Sequence, residues 1–222
     1  MKMKFILLML MLLLTVNGCA FTGSDGKYEE QYKPIIDEFY GIAAGNFDET
    51  DYPDYCIGMV EAANIDPDSI KGNSGYLIED ISGDRIPELL IGSADGSMIY
   101  AMFTLKDNEP QLIFDGTYRN AYILLGDGTI LNSGSAGAAY SIFGIYKLTE
   151  DGSELDCQGY WFTHEKDGNF EDIRCWFNTV GEMDVSMSEE LDMTLDEFWE
   201  KEEELISQKK IPKLTSFAEY VQ

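Results

Sequence analysis

Residues 76–91 form the stretch that decides the fold, and they read Tyr-Leu-Ile-Glu-Asp-Ile-Ser-Gly-Asp-Arg-Ile-Pro-Glu-Leu-Leu-Ile. An apolar run lies at each end of this stretch, and a polar turn around Ser82-Gly83-Asp84 separates the two runs. Short apolar runs on either side of a glycine-containing turn are typical of a β-hairpin. The stretch therefore predicts two strands joined by a tight acidic loop.

The same alternation of apolar runs and turns continues toward the C-terminus. Turn pairs stand at Asp95-Gly96, Asp107-Asn108, Asp115-Gly116, Asp127-Gly128, Asp151-Gly152 and Asp167-Gly168. Asp-Gly between apolar runs favours a hairpin, because the turn needs a positive φ that glycine adopts without strain. We expect eight or nine short strands between Tyr76 and Val180, in an antiparallel meander that forms one sheet or a small sandwich. This number of strands is too small for a β-propeller, which needs several four-stranded blades.

Helical patterns flank the predicted strands. Apolar residues recur at helical spacing from Tyr28 to Ala44, and a short apolar patch from Cys56 to Ala63 predicts a second helix. Near the C-terminus, Thr194 to Glu197 has the spacing of a capping box ahead of an apolar stripe, and the Ile211-Pro212 step is expected to end that helix. The predicted fold class is α+β, a β meander with helices at both termini.

The N-terminus has the order of a signal peptide. Two lysines precede an apolar run from Phe5 to Val16, and small residues lead into Cys19. A transmembrane helix needs about 20 apolar residues, so this run is too short for a permanent span.

The end of the run is more specific, because Val16-Asn17-Gly18-Cys19 resembles the lipobox of bacterial lipoproteins. The resemblance implies cleavage before Cys19, lipidation of that cysteine, and an extracytoplasmic protein anchored to the bacterial cell membrane. We expect a signal peptide at 1–18, a lipidated tether at 19–26 and a single α+β domain at 27–222. The alternatives are ordinary cleavage nearby, which leaves Cys19 a plain thiol, or an uncleaved anchor.

The composition is strongly acidic, with 41 Asp and Glu against 15 Lys and Arg and a net charge of −26. Nucleic acid is excluded as a partner, because its binding depends on neutralising phosphates with Lys and Arg. The acids indicate either a solvated coat or an attraction to cations and basic partners. The expected partners are the membrane, through the lipid anchor, and an extracellular ligand that is a glycan or a protein.

Oxygen-bearing residues stand at alternate positions in the central loop. Asp80, Ser82 and Asp84 offer side-chain oxygens, Ile86 offers its carbonyl, and Glu88 offers a carboxylate. Ca²⁺ takes about 6 to 8 oxygen ligands, and a loop that wraps around the ion presents them at such spacing. The pattern predicts a Ca²⁺-binding loop, and the alternative is a tight turn with solvated acids.

This segment resembles the Asp-x-Asp-x-Asp-Gly loops of FG-GAP and VCBS-type modules. It is most similar to the single loop found in many uncharacterised secreted lipoproteins of Gram-positive bacteria, a family that implies no particular activity. Ser82 replaces a carboxylate of that family, and Arg85 replaces its turn glycine. A positive φ at Arg85 is expected to cost about 1 kcal/mol.

The sequence offers little for nucleophilic catalysis. His164 is the only histidine, and its place beside the predicted Asp167-Gly168 turn favours a solvated turn residue over a catalytic base. We therefore predict a non-enzymatic binding or sensing module. The alternative is an envelope glycan hydrolase that uses a pair of carboxylates, because the many acids leave such a pair open.

Aromatic residues concentrate on the two arms of the last predicted hairpin. Trp161 and Trp176 are candidates for a ligand platform, since alternation directs some side chains outward, and core packing is the competing interpretation. The same arms carry Cys157 and Cys175. A two-residue turn would place Cys175 opposite Tyr160, too far along the strand from Cys157 for a disulfide, so we expect free thiols. A bulge or a longer loop would leave the pairing open.

Overall fold

The computed structural model describes residues 25–48, 50–137 and 139–222. The expected signal peptide, Cys19 and the tether up to Ser24 lie outside these residues. The helices are α1 Asp25–Ala43, α2 Ile57–Ile65, α3 Ile70–Asn73 and α4 Leu195–Ile206. The strands are β1 Ser74–Glu79, β2 Glu88–Ser93, β3 Ile99–Lys106, β4 Glu109–Asp115, β5 Asn120–Leu124, β6 Ile130–Ser135, β7 Ser141–Leu148, β8 Leu155–Lys166, β9 Asn169–Asn178, β10 Glu189–Glu190 and β11 Thr215–Ser216. Among these elements, no helix has the length and apolar character needed to cross a membrane.

The strands form one antiparallel sheet. Its order is β10-β9-β8-β7-β6-β5-β3-β2-β1-β11, so most neighbours in the sheet are also neighbours in sequence. β4 leaves this path as a hairpin partner of β3, and β5 pairs with β3 at Ile99. The predicted α+β class and antiparallel meander are confirmed, and nine strands lie between Ser74 and Asn178.

The sheet curls strongly, because residues from strands far apart in the order meet on one face. Leu148 at the end of β7 and Leu155 at the start of β8 pack against a buried cluster that contains Leu90 of β2. β2 and β7 are four strands apart, or about 19 Å in a flat sheet at about 4.8 Å per strand. The curl brings the turn 149–154 onto the loop 80–87 between β1 and β2.

The helices cover the other face of the sheet. Leu89 points away from the cluster of its neighbour Leu90 and packs with Ile36 of α1, and both Leu89 and Ile36 are fully buried. Farther along the same face, Phe198 of α4 packs on Phe143 of β7, with ring centroids 4.7 Å apart. The two terminal helices therefore hold opposite ends of the sheet.

The C-terminal helix begins where the sequence predicts. The Thr194 hydroxyl accepts a hydrogen bond from the Glu197 N–H at 3.2 Å, and the Glu197 carboxylate accepts one from the Thr194 N–H at 2.8 Å, which completes the capping box. The predicted end at the Ile211-Pro212 step is wrong, since the helix stops at Ile206. The chain turns early because the segment that follows pairs with the turn between β5 and β6.

The register of the last hairpin differs from the prediction. Cys175 lies opposite Thr163 and not opposite Tyr160, because a bulge near the hairpin turn shifts the two strands. Cys157 is therefore even farther from Cys175 along the strand than expected. Both thiols are free, as predicted.

Candidate functional site

The loop between β1 and β2 is shaped by its first acid. Asp80 Oδ1 accepts a hydrogen bond from the Gly83 N–H at 2.7 Å, and its Oδ2 accepts one from the Arg85 N–H at 3.1 Å. Gly83 and Arg85 both have positive φ, 88° and 78°. The backbone thus folds around the Asp80 carboxylate, and Arg85 has the left-handed conformation in which a side chain is costly.

The central residues of the loop form a second, smaller set of contacts. Asp84 Oδ1 accepts a hydrogen bond from the Ile86 N–H at 2.6 Å, and the Asp84 N–H donates to Ser82 Oγ at 3.4 Å. The loop is tied to the N-terminal helix as well, because the Tyr32 hydroxyl donates to the Pro87 carbonyl at 2.8 Å. These contacts link the loop to itself and to α1.

Glu88 is a fully buried carboxylate at the start of β2. Its Oε2 accepts hydrogen bonds from the N–H groups of Ile81 at 2.7 Å and Ser82 at 3.2 Å. Its Oε1 is buried and has no hydrogen-bond partner among the described residues. Burial raises the pKa of Glu88 above its ordinary value, although the hydrogen bonds from the loop oppose this shift. A buried carboxylate with one unpartnered oxygen calls for a proton or a cation.

A glycine from the turn between β7 and β8 approaches that oxygen closely. A Cβ atom at Gly152, in the turn between β7 and β8, would lie 2.5 Å from Glu88 Oε1 and 3.2 Å from Ser82 Oγ. Gly152 has a φ of 65°, which itself favours glycine. The two oxygens therefore both lie beside the position that a side chain at Gly152 would fill, and we call this position the cradle.

The five expected metal ligands are only partly brought together. The described residues contain no group of three or more His, Cys, Asp and Glu side chains arranged to hold a metal ion. Asp80 and Asp84 direct their oxygens to backbone N–H groups, whereas Glu88 Oε1 and Ser82 Oγ share the cradle. Each carboxylate oxygen keeps a further lone pair for a second contact.

Arg85 does not take the place of an ion in this loop. Its side chain is exposed and forms none of the ion pairs found among the described residues. It lines a groove of about 760 Å³, together with Tyr28 and Glu29 of α1 and Glu79 of β1. No sequence signal points to this groove, because its walls come from segments far apart in the chain.

The two tryptophans lie on opposite faces of the sheet. Trp161 stacks on Phe143 at 5.1 Å between ring centroids, and Lys201 lies over its ring at 4.8 Å. Trp176 is 8% exposed and donates its indole N–H to the His164 carbonyl at 3.3 Å. The structure does not bring Trp161 and Trp176 onto one platform, and both rings take part in packing.

His164 lies in β8 rather than in the turn beyond it. Its ring stacks on Tyr140 at 4.9 Å, and Nδ1 lies 3.2 Å from a Glu165 carboxylate oxygen. Glu165 also accepts a hydrogen bond from the Tyr140 hydroxyl. The interpretation as a solvated turn residue is therefore wrong, since the imidazole is half-buried in this small cluster.

Comparisons of this chain with models of known protein families, with curated proteins and with solved structures find no match. The acidic loop, the buried Glu88 and the neighbouring groove are accordingly the features from which a function is inferred. These features offer oxygen ligands and negative charge.

Proposed function

We propose that this chain is an extracytoplasmic lipoprotein, anchored to the bacterial cell membrane through Cys19, that binds or senses an extracellular ligand without catalysing a reaction. The order of the N-terminal segments and the Cys19 motif support the anchor. The strong acidity supports a surface that attracts cations or basic partners.

The loop 80–88 holds a cation, and Ca²⁺ is the ion that its donors suit best. Glu88 carries this proposal, because its buried Oε1 faces the cradle with no hydrogen-bond partner among the described residues. A cation beside it would offset the cost of burying the charge. Asp80, Ser82, Asp84, the Ile86 carbonyl and Glu88 offer oxygens only, which favours a hard ion.

Bound Ca²⁺ would supply positive charge and a rigid centre to the loop. Asp80, Asp84 and Glu88 would hold it through carboxylate oxygens, with Ser82 Oγ and the Ile86 carbonyl beside them. The loop joins β1 and β2 and meets the turn after β7, so an ion there stabilises the contact between two distant parts of the sheet. Its role is that of a structural staple.

Calorimetric titration of the full-length protein in detergent with Ca²⁺ tests the loop. We expect heat of binding and, at about 100 times the Kd, a rise in Tm of about 5 to 10 °C. Asp84→Ala is expected to lose both effects. Asp127→Ala is the matched control, because Asp127 accepts a similar hydrogen bond from the Thr129 N–H in another turn. Absence of heat and of a Tm shift in the wild type contradicts the proposal.

The cradle is tested by a pair of glycine variants. Gly152→Ala places a methyl group against Glu88 Oε1, so we expect the effect of Ca²⁺ on Tm to disappear. Gly128→Ala is the matched control, since its φ is also positive, 84°, and its Cβ would meet no atom within 4 Å. Equal Ca²⁺ responses in the two variants would show that the ion lies elsewhere.

The anchor is tested by fractionation of cells that express Cys19→Ala. We expect the wild type in the membrane fraction, labelled by radioactive palmitate, and the variant without label. A wild-type protein that carries no label removes the anchor from the proposal.

A further inference from the structure

The outer edge of β1 is only partly covered. β11 pairs with Gly75 and Tyr76, whereas β1 continues to Glu79. The Ser74 carbonyl accepts a hydrogen bond from the Phe217 N–H on this edge. Alternate residues of an antiparallel strand direct their backbone groups to the same side, so Ile78 also faces this edge. Within the part of the chain that the structure describes, no backbone partner reaches Ile78 there.

The groove beside the loop runs along this edge. Residues 76–80 all line the groove. Their side chains alternate between the two faces of the sheet, so a groove that contacts all five residues must run along the edge of the strand. Tyr28 and Glu29 of α1 form one wall, and Arg85 stands at the loop end. Its volume of about 760 Å³ admits a short extended chain.

The protein's own C-terminal segment does not extend β11 into the groove. The Lys210 N–H donates to the Leu124 carbonyl at 2.7 Å, which directs the chain away from β1 before β11 begins. Pro212 has no N–H to donate to a strand. Leu214 packs into the cluster on the other face of the sheet. Among the described residues, none therefore covers the edge of β1 beyond Tyr76.

The charge of the groove favours one class of ligand. Glu29 and Glu79 bring to the walls two carboxylates that are not ligands of the proposed cation, against the single guanidinium of Arg85. Lys210 lies 4.0 Å from Glu79 in an exposed, weak ion pair. With a net charge of −26 for the chain, the complementary partner is basic.

We propose that the groove binds an extended peptide segment rich in Lys or Arg, which adds to the β1 edge as a further strand. Backbone hydrogen bonds to Ile78 hold the peptide, and its basic side chains meet Glu29 and Glu79. Exposed strand edges capture extended peptides in this way in other recognition domains. The inference rests on the proposed binding role and names its ligand class, and it does not depend on the cation in the loop.

Fluorescence anisotropy with the full-length protein in detergent tests the strand addition. The probe is a labelled seven-residue peptide of alternating valine and lysine, compared with the same peptide carrying glutamate for lysine and with one whose backbone nitrogens are methylated. We expect saturable binding of the lysine peptide and no saturation with either control. Equal binding of the methylated peptide overturns the inference, because that peptide lacks backbone donors.

A pair of double variants separates the groove from general charge. Glu29→Gln with Glu79→Gln is expected to weaken binding of the lysine peptide about fivefold, the size of two exposed ion pairs. Glu171→Gln with Glu182→Gln removes the same charge from exposed positions outside the groove and is expected to change binding less than twofold. Equal loss in both double variants assigns the binding to net charge and overturns the inference.

Two further measurements distinguish other outcomes. Saturable binding of a chitin hexasaccharide that is lost in Glu29→Gln with Glu79→Gln, without saturable binding of the lysine peptide, assigns the groove to glycan and overturns the inference. A Ca²⁺ titration of the same sample tests the cation loop independently of peptide binding. Peptide binding without a Ca²⁺ response contradicts the cation loop alone, and a Ca²⁺ response without peptide binding contradicts the groove alone.

Discussion

Arg85 holds a backbone conformation that residues with a side chain adopt at a cost. Its φ of 78° lies in the left-handed region, and the conformation persists because the Arg85 N–H donates to Asp80. We expect Arg85→Gly to raise the free energy of unfolding by about 1 kcal/mol. Urea denaturation measures this change in the free energy of unfolding. Arg119→Gly, at an exposed residue of negative φ, is expected to lower stability, and a loss of stability in both variants contradicts the account.

Glu88 makes stability depend on pH in an identifiable direction. Its pKa is raised by burial, so the folded state binds this proton more tightly than the unfolded state. The stabilisation by the proton on Glu88 is fully present at pH values below the ordinary pKa of a glutamic acid. It is lost as the pH rises through the raised pKa of the folded state. With a chelator present, we expect the Tm of the wild type to fall relative to that of Glu88→Gln over this range. Glu79→Gln at an exposed residue is the control, and a constant Tm difference between wild type and Glu88→Gln contradicts the prediction.

Among individual residues, the sequence predicts only those features that depend on the local backbone of the loop. The sequence marks Arg85 as a position where a positive φ would be costly, because the loops that this segment resembles carry glycine there. The unpartnered oxygen of Glu88 could not be predicted, because it depends on Gly152, which the curl of the sheet brings close. The separation of Trp161 from Trp176 likewise depends on strand register, which a bulge alters.

Turn chemistry made the order of the elements predictable. Each predicted Asp-Gly or Asp-Asn turn falls at a junction between consecutive strands, and Gly96, Gly128 and Gly168 have the positive φ that such turns require. The two-residue strands β10 and β11 carry no such signal, because tertiary contacts alone hold them in the sheet. The departure of β4 from the meander cannot be predicted from local pattern either, since β3 pairs with β4 along most of its length and with β5 only at Ile99.

The contact of α2 with the sheet depends on a helical glycine. A Cβ atom at Gly58 would lie 1.8 Å from the Gly116 carbonyl oxygen in the turn after β4. We expect Gly58→Ala to lower the free energy of unfolding by about 1 to 3 kcal/mol, because the helix must move away from the sheet. Gly72→Ala, where the Cβ would meet no atom within 4 Å, is the control. Thermal denaturation that ranks the two variants equally contradicts this account.

The whole molecule carries far more negative than positive charge. A net charge of −26 opposes the compact state through self-repulsion, which salt screens. We expect the urea midpoint to rise as NaCl increases from about 0.01 M to about 0.1 M, where the Debye length shortens from about 30 Å to about 10 Å. The measurement includes a chelator, so that divalent ions do not contribute. A midpoint that stays constant or falls contradicts the prediction.

The curl of the sheet also sets the order in which the chain can finish folding. The cluster around Leu90 of β2 is closed by Leu148 and Leu155 from β7 and β8, and by Leu214 close to the C-terminus. A chain that is synthesised from its N-terminus therefore exposes an open apolar surface on β2 until Leu148, Leu155 and Leu214 have been made. Completion of this core waits for Leu214, so truncation before this residue is expected to leave even the earliest strands without a finished interior.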